Sequence, residues 1–586
     1  MEIFYKGIPG SRRIAVGQAI VLLKSNILVP HYTVDRSSKA IDCEIHKLET
    51  ALMKTKKQLE GLKNELLLRK STLETGYLDS TILMLEDPTI RENVTEKIKQ
   101  SYINIEWIFN EVIEEMADKL QESEIDYFKE RAPDIISIGQ RVLTNLLGNG
   151  EKDIPEVSKN SIIIAHTLSP PEVVHFGKLE IKAIVTEIGG RTSHVAIMAQ
   201  DLKIPAVIGV EHITNKVNTG DTVIVDSTSG TVIVNPEKDT EKLYSVKERA
   251  QQDYDLKLRR IQQKPCQLKE GIRIELFANM DLEEELDLVR QCGCMGIGLF
   301  RTEYLFLNSA DSPDEDVQYS IYRRVIQGIQ PYHATIRIID IGGDKKPNYL
   351  DYYEETNPFL GLRGVRFALA HTDILRTQIR AILRAAYHGN ARLMFPMVND
   401  LDELNVVLEI VDECKQQLHG QGIEHDPSIP IGIMIETPSS VILLDKFMPF
   451  VDFISVGTND LIQYTLAIDR GNGMVADKFD PMHPAILRSL QRISDFSSQS
   501  GVEAGICGEM AGDPLCTLLL IGLGYRTLSM STMNIPTIKD IIINSSVGDA
   551  QSLAHEVLEL STAEEIHVFI RREMIDRFKS LEDYFR

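Results

Sequence analysis

From Ile272 to Ser531 the chain alternates short apolar runs with amphipathic stretches, and no other feature constrains its fold as much. The runs are IELFAN, GIGLF, TIRIID, RLMFPMV, IGIMIE, FISVG, EAGIC and TLSMS. Each has strand length and is followed by a segment of helical spacing, so the pattern predicts repeated βα units. Eight such units fit a closed (β/α)8 barrel, in which chemistry gathers at the C-terminal ends of the strands. Those ends carry Asn279, Arg301 with Glu303, Asp340, Asn399, Glu436, Asn459 with Asp460, Cys507 with Glu509, and Ser531. Polar and ionisable groups thus fall where a barrel builds its site.

A second constraint lies upstream, in GGRTSHVAIMAQ from Gly189 to Gln200. Ile181 to Ile188 reads as a strand, two glycines make a turn, and Val195, Met198 and Leu202 recur at helical spacing. Thr192 and Ser193 are natural N-caps, so His194 falls in the first turn of a helix. A helix start holds anions through unpaired N–H groups, and imidazole is a competent nucleophile near neutral pH. A lone histidine on a capped surface helix is usually inert; the preceding Gly-Gly-Arg-Thr-Ser string adds a close-approach turn, a cation and hydroxyls.

The 586 residues are too many for one core, so several domains are expected. After a β-like start, Ile45, Leu52, Leu59 and Leu66 repeat every seventh residue with Leu48 and Leu62 as companions, which predicts a long helix packed within a bundle. Further helices are predicted over about Ser80–Lys97, Trp107–Leu120 and Tyr127–Leu147. Strand character resumes in SIIIAH, IKAIVTEI, AVIGV and the strand–turn–strand DTVIVDSTSGTVIVNP. Pro236 to Gln263 is charged and turn-free, a solvated connecting helix. The reading is a multidomain α/β chain: an α/β domain from residues 1–28 and 150–236, a helical bundle inserted at 29–149, a linker helix at 237–265 and the barrel at 266–586.

The net charge of −23 argues against a nucleic-acid-binding surface and requires arginines to be gathered locally around any anionic substrate. Seven scattered cysteines, with Cys292 and Cys294 as the one close pair and no zinc spacing, fit a reducing cytoplasm. Ser11-Arg12-Arg13 before Ile14–Leu23 superficially resembles an export signal, but Gln18 interrupts the apolar run, and it is read as an opening strand. No segment reaches transmembrane length.

Arg301, Arg337, Arg363 and Arg470 form a candidate cation cluster for a phosphorylated carboxylic acid, with Arg363 reading equally as a salt-bridged staple. Glu436 and Asp460, at neighbouring strand ends, are candidate oxygen ligands for Mg²⁺. Cys507 is either a proton donor at the same mouth or a small buried residue.

With these residues assembled, the chain resembles enzyme I of the bacterial phosphotransferase system, the phosphoenolpyruvate–protein phosphotransferases. The resemblance runs over almost the whole length, through GGRTSH, KERAPDI, FRTEYLF, DIGGDK, NPFLGLR, MFPMV, IGIMIETP, SVGTNDLIQYTLAIDRGN and GICGEMAGD. It implies a phosphohistidine domain split by a helical domain that docks the carrier protein HPr, and a dimerising barrel for phosphoenolpyruvate and Mg²⁺, for which Mn²⁺ can substitute. By position His194 would be phosphorylated, with Ser169 as the hydroxyl beside it. Arg301, Arg337, Asn459, Asp460 and Arg470 would hold phosphoenolpyruvate, Glu436 and Asp460 the metal, and Cys507 would protonate the enolate. Gln200, Thr81 and Arg12-Arg13 depart from the family pattern, the first two where they bear on carrier docking and transfer. Phosphoenolpyruvate synthases and pyruvate phosphate dikinases share the histidine domain and barrel, but they need a nucleotide-binding domain, and the N-terminal part has no Gly-rich phosphate loop. A non-catalytic relative would be expected to lose His194, Glu436 or Asp460.

Overall fold

The computed structural model describes residues 2–10, 13–22, 29–68, 82, 85, 88–121, 126–148, 157–168, 170–189, 194–201, 204–307, 309, 311–343, 347, 349, 355–472 and 474–581, some helical ones, His194 among them, by backbone alone. The chain forms two compact units, Met1–Asp253 and Tyr254–Arg586.

The first unit is built on an eight-stranded sheet in the order β1-β8-β7-β3-β4-β5-β6-β2. Its strands are β1 (Ile3–Lys6), β2 (Ile8–Pro9), β3 (Ile14–Leu22), β4 (Ser161–Ala165), β5 (Ala183–Thr186), β6 (Ala206–Ile208), β7 (Thr222–Asp226) and β8 (Thr231–Val234). β3 to β6 run parallel, and β7 and β8 are the hairpin predicted around Thr228-Ser229-Gly230. Every residue of β4 is buried, because both faces of the sheet are covered. Side-chain alternation divides them: Ile162 and Ile164 pack with Val185, Val207 and Val225, whereas Ile163 packs with Ile184, Ile208 and helices.

Those helices are α1 (Ser38–Leu68), α2 (Pro88–Ser101), α3 (Ile105–Gln121) and α4 (Asp126–Leu146), followed by α5 (Pro170–Lys178) and α6 (His194–Asp201). Leu48 and Leu59 of the heptad are buried in the bundle, so the repeat serves internal packing; the side chains of Leu62 and Leu66 lie outside the described residues. The helix expected over Ser80–Lys97 begins at Pro88 and continues to Ser101. Proline has no N–H to donate and is favoured in the first turn. Among 80–87 only residues 82 and 85 are described. The predicted connecting helix is α7 (Lys238–Ile261), which runs through the boundary between the units and leaves Leu243, Val246 and Leu256 exposed.

The second unit contains the closed barrel expected from the sequence. Its strands are β9 (Glu275–Met280), β10 (Gly296–Arg301), β11 (His333–Arg337), β12 (Ala391–Phe395), β13 (Ile431–Ile435), β14 (Phe453–Val456), β15 (Glu503–Ile506) and β16 (Thr527–Met530). Each pairs parallel with the next, and β16 returns to β9 with Thr527 opposite Glu275. Two strands stop three residues short of the predicted runs for visible reasons. Beyond Arg337 side chains take over the backbone donors: Ile339 N–H bonds Gln378 Oε1 and Asp340 N–H bonds Glu303 Oε1. β12 ends before Pro396, which has no N–H, and Met397 follows at φ 56°.

At the opposite, N-terminal end of the barrel, the His333 ring lies 4.6 Å from that of Phe277. Burial, reinforced by Arg392 and opposed by Glu503, pulls its pKa from the usual 6.5 down to about 4. The unfolded chain therefore binds the extra proton first. Stability is full above pH 6.5 and falls as the pH drops towards 4, by up to about 3 kcal/mol. Denaturant unfolding across this range should show that slope in the wild type and a flatter one in His333→Phe.

Candidate active site

The C-terminal ends of the barrel strands bring six charged side chains into one buried network. Arg337, the last residue of β11, donates from Nη2 to Glu303 Oε1 at 2.7 Å and lies 3.3 Å from Asp340 Oδ2. Arg363 grips two carboxylates. Its Nε and Nη2 each lie 3.1 Å from Asp340, while Nη1 and Nη2 reach Asp460 at 2.8 and 3.0 Å. Tyr464 Oη accepts a further bond from Arg363 Nη1 at 3.1 Å. Glu436, just beyond β13, accepts from Met397 N–H through Oε1 at 2.7 Å. Among the described residues its Oε2 has no hydrogen-bond partner, and neither has Arg337 Nε.

Glu303, Asp340, Glu436 and Asp460 are each at most 9% exposed, and so are Arg337 and Arg363. Among the described residues four carboxyl groups thus face two guanidiniums, an excess of negative charge in a medium that tolerates little of it. The strain shows at Glu436, where burial, then Asp460 and Asp340, push the pKa up to about 8. Backbone chemistry sustains the crowding: a Cβ on Gly457 would lie 2.6 Å from Glu436 Oε2, so only glycine fits there.

The donor set fits a divalent cation of the Mg²⁺ type. Such an ion takes one or two carboxylates and completes its octahedron with water and substrate oxygens. Glu436 offers an unpartnered buried oxygen beside Asp460, and the charge excess is of the sign a cation removes. Among the described residues no cluster of three or more His, Cys, Asp or Glu is arranged to hold a metal unaided.

The remaining sequence-predicted residues are distributed unevenly. Arg301, half-buried, pairs with Asp281 at 3.2 Å. Asn459 exchanges two bonds with Glu509, Nδ2 to Oε1 at 2.9 Å and Glu509 N–H to Oδ1 at 3.1 Å. Cys507 is buried against Leu299, Met394, Met434 and Phe453, with Sγ 3.5 Å from Val456 O. Burial pushes this thiol up to about 11, so it stays protonated. Asn279, itself held by Ser529, donates to Cys507 O at 2.9 Å. Arg470 is not gathered in: it is exposed beyond the helix Thr458–Leu466, its N–H 3.4 Å from Gln463 Oε1. His194 is the first residue of α6, in the other unit. Its side chain, that of Gln200, and residues Arg12, Thr81, Ser169 and Arg191 to Ser193 lie outside the described residues.

Sequence reasoning gave no role to Glu303 and Asp340, which orient both buried arginines, or to Met397 and Asp281. The signal was present in part. Glu303 stands two residues after Arg301 and Asp340 three after Arg337, each past a strand end.

Three family models match consecutive stretches: the N-terminal model of PEP-utilising enzymes over residues 6–131, their mobile domain over 157–230, and their PEP-binding domain over 256–547. The chain is 34% identical over 570 residues to the phosphoenolpyruvate-protein phosphotransferase of Haemophilus influenzae, covering 97% of this chain and 99% of that one. It is 36% identical to that of Geobacillus stearothermophilus, covering 97% of each.

The chain belongs to the phosphoenolpyruvate-protein phosphotransferase family. As a phosphoenolpyruvate-protein phosphotransferase it is an enzyme of phosphoenolpyruvate-dependent phosphoryl transfer. The buried network lies within the stretch matched by the PEP-binding model, and His194 within that matched by the mobile-domain model. A solution NMR structure of Enzyme I (nEIt) is 32% identical, covers 42% of this chain and 99% of its own, and superposes with a TM-score of 0.36. Among the described residues no helix of this phosphotransferase is long and apolar enough to cross a membrane.

Proposed function

We propose that the protein passes the phosphoryl group of phosphoenolpyruvate to its own His194 and then to a histidine of the carrier protein HPr, releasing pyruvate, as the first step of sugar phosphotransfer in the cytoplasm. One observation carries this reading. Among the described residues, the barrel mouth holds a buried carboxylate oxygen on Glu436 and a buried guanidinium N–H on Arg337, both without partners, within a network short of positive charge. A phosphorylated carboxylic acid with a divalent metal would satisfy both.

Glu436 and Asp460 would hold Mg²⁺, with Mn²⁺ able to substitute; the ion supplies charge neutralisation to the phosphoryl oxygens. Arg337 offers its free Nε, and Arg301, Asn459 and Arg470 close on the substrate from the rim. Arg301 and Asn459 exchange Asp281 and Glu509 for it. The P–O bond of phosphoenolpyruvate breaks as a ring nitrogen of His194 bonds to phosphorus, and the electron pair leaves on the enolate oxygen. Arginines turned towards that charge lower the barrier. The enolate carbon then takes the proton of Cys507, whose buried thiol keeps it until a strong base forms. Solvent restores that proton. His194 must meet first the barrel mouth and then the carrier. Two copies associate through the barrel in this reading, which sedimentation checks.

Incubation with labelled phosphoenolpyruvate and Mg²⁺ tests the assignment. The label should be acid-labile and base-stable, map to the peptide containing His194, and leave when HPr is added. Label on another residue, or label that HPr does not discharge, would overturn it.

A further inference from the structure

At the N-terminal end of the barrel, away from the site, three of the seven cysteines gather around one buried lysine. Cys266 lies just before β9, and Cys292 and Cys294 flank Gly293 in the turn that enters β10. Lys539, on the helix Ile535–Ile543, is 3% exposed. Its ammonium donates to two backbone carbonyls, Gln262 O at 2.5 Å and Gly293 O at 3.4 Å. Among the described residues no carboxylate pairs with it; the ionisable groups facing it are the thiols of Cys266, Cys292 and Cys294. A buried ammonium without a counter-ion is costly, and these thiols are the neighbours able to supply one.

Two of the thiols also share an acceptor. Cys292 and Cys294 both donate to Val289 O, at 3.1 and 3.4 Å, which brings their sulfurs to one carbonyl. Gly293, at φ 81°, folds the turn so that its neighbours' side chains meet. A Cβ there would lie 2.3 Å from Gln262 O, so the turn is tied to its surroundings and to glycine. Cys292 is buried and Cys294 partly exposed, so Cys294 is the more open residue of the pair.

We propose that Cys292 and Cys294 form a redox-active dithiol, with Lys539 as the cation beside its thiolate, that low-molecular-weight disulfides oxidise to an intrachain disulfide. The division of labour follows from the contacts. The neighbouring Cys292 side chain holds the Cys294 thiol below its ordinary value, while Cys292 is pushed up. Burial raises Cys266 to about 12 and leaves it a protonated bystander. The Cys294 thiolate attacks one sulfur of oxidised glutathione, whose S–S bond breaks, and one glutathione thiolate leaves. Cys292 yields its proton to that thiolate and attacks Cys294 Sγ, expelling the second glutathione thiolate. Two electrons have passed from the protein to the glutathione disulfide.

The test uses the intact protein. It is incubated with excess oxidised glutathione, free thiols are alkylated, and the tryptic peptide Gln291–Arg301, which holds both cysteines, is weighed without reduction. The expected product is that peptide two hydrogens lighter and unalkylated, reverting with dithiothreitol. Cys292→Ser should stop at a mixed glutathione disulfide on Cys294. Lys539→Met should slow oxidation several-fold, as loss of the cation beside the thiolate would. Alkylation of both cysteines in the wild type, a cross-link to Cys266 instead, or Lys539→Met oxidised at the wild-type rate would overturn the proposal.

Discussion

Glu436→Gln should abolish most phosphorylation from phosphoenolpyruvate, by roughly 10²–10³-fold, while leaving the barrel folded. The substitution keeps the shape and an oxygen to accept Met397 N–H, the bond Glu436 makes now at 2.7 Å. It removes the charge of Oε2, the unpartnered oxygen beside Asp460. Its new amide N–H has acidic neighbours to donate to, since Asp460 and Asp340 are the charges that raise Glu436 after burial. Without metal the variant should therefore melt no lower than wild type, and higher if carboxylate repulsion dominates the site. Rates of labelling at saturating Mg²⁺ and thermal melts in chelator read the two effects separately. Near-wild-type labelling would remove Glu436 from the chemistry. A collapse of the melt would make its role structural instead.

The barrel was legible because each strand is a short apolar run followed by a helical segment, a pattern local to the sequence. Its closure was legible from the number of such runs. The ends were less so. TIRIID continues apolar past Arg337, and nothing local reveals that Gln378 and Glu303 capture the next backbone donors. Arg363 illustrates the same limit. Its sequence surroundings left it equally a ligand for substrate or a staple, because its partners Asp340 and Asp460 lie 23 and 97 residues away. Only the closed barrel places them on either side of one guanidinium. Arg470 entered the site by its motif, and in this structure it remains exposed. His194 was read into the first turn of a helix from its glycines and hydroxyls, and α6 begins there. The paired thiols at the other end of the barrel were visible as a spacing, but the lysine that faces them comes from a helix some 245 residues later, and no local pattern connects the two.

Cutting the chain between Asp253 and Tyr254 should separate the two half-reactions completely. The cores make this possible. The buried clusters of the first unit are drawn from residues between Ala15 and Val234, and that of the barrel from Leu268 to Leu581, with no residue in common. The position of the cut is set by α7. Gln251 accepts from Ile14 N–H at 3.0 Å, so a fragment ending near Arg249 would strip that contact from the sheet. On the other side Lys257 pairs with Asp540 at 2.7 Å, so the barrel fragment should keep everything from Tyr254 onward. The fragment Met1–Asp253 carries His194 but none of the six charged groups at the barrel mouth. It should fold alone, exchange phosphoryl groups reversibly with phosphorylated HPr, and take none from phosphoenolpyruvate. The fragment Tyr254–Arg586 should bind phosphoenolpyruvate in a Mg²⁺-dependent manner and remain unlabelled, having no His194. Gln200 and Thr81 would change only the rate of exchange with the carrier, each lost polar contact costing about 1 kcal/mol, and would leave the division itself untouched. Labelled phosphoenolpyruvate and labelled phospho-HPr, offered separately to each fragment, decide the matter. Label passing from phosphoenolpyruvate to the first fragment alone would place the substrate site outside the barrel.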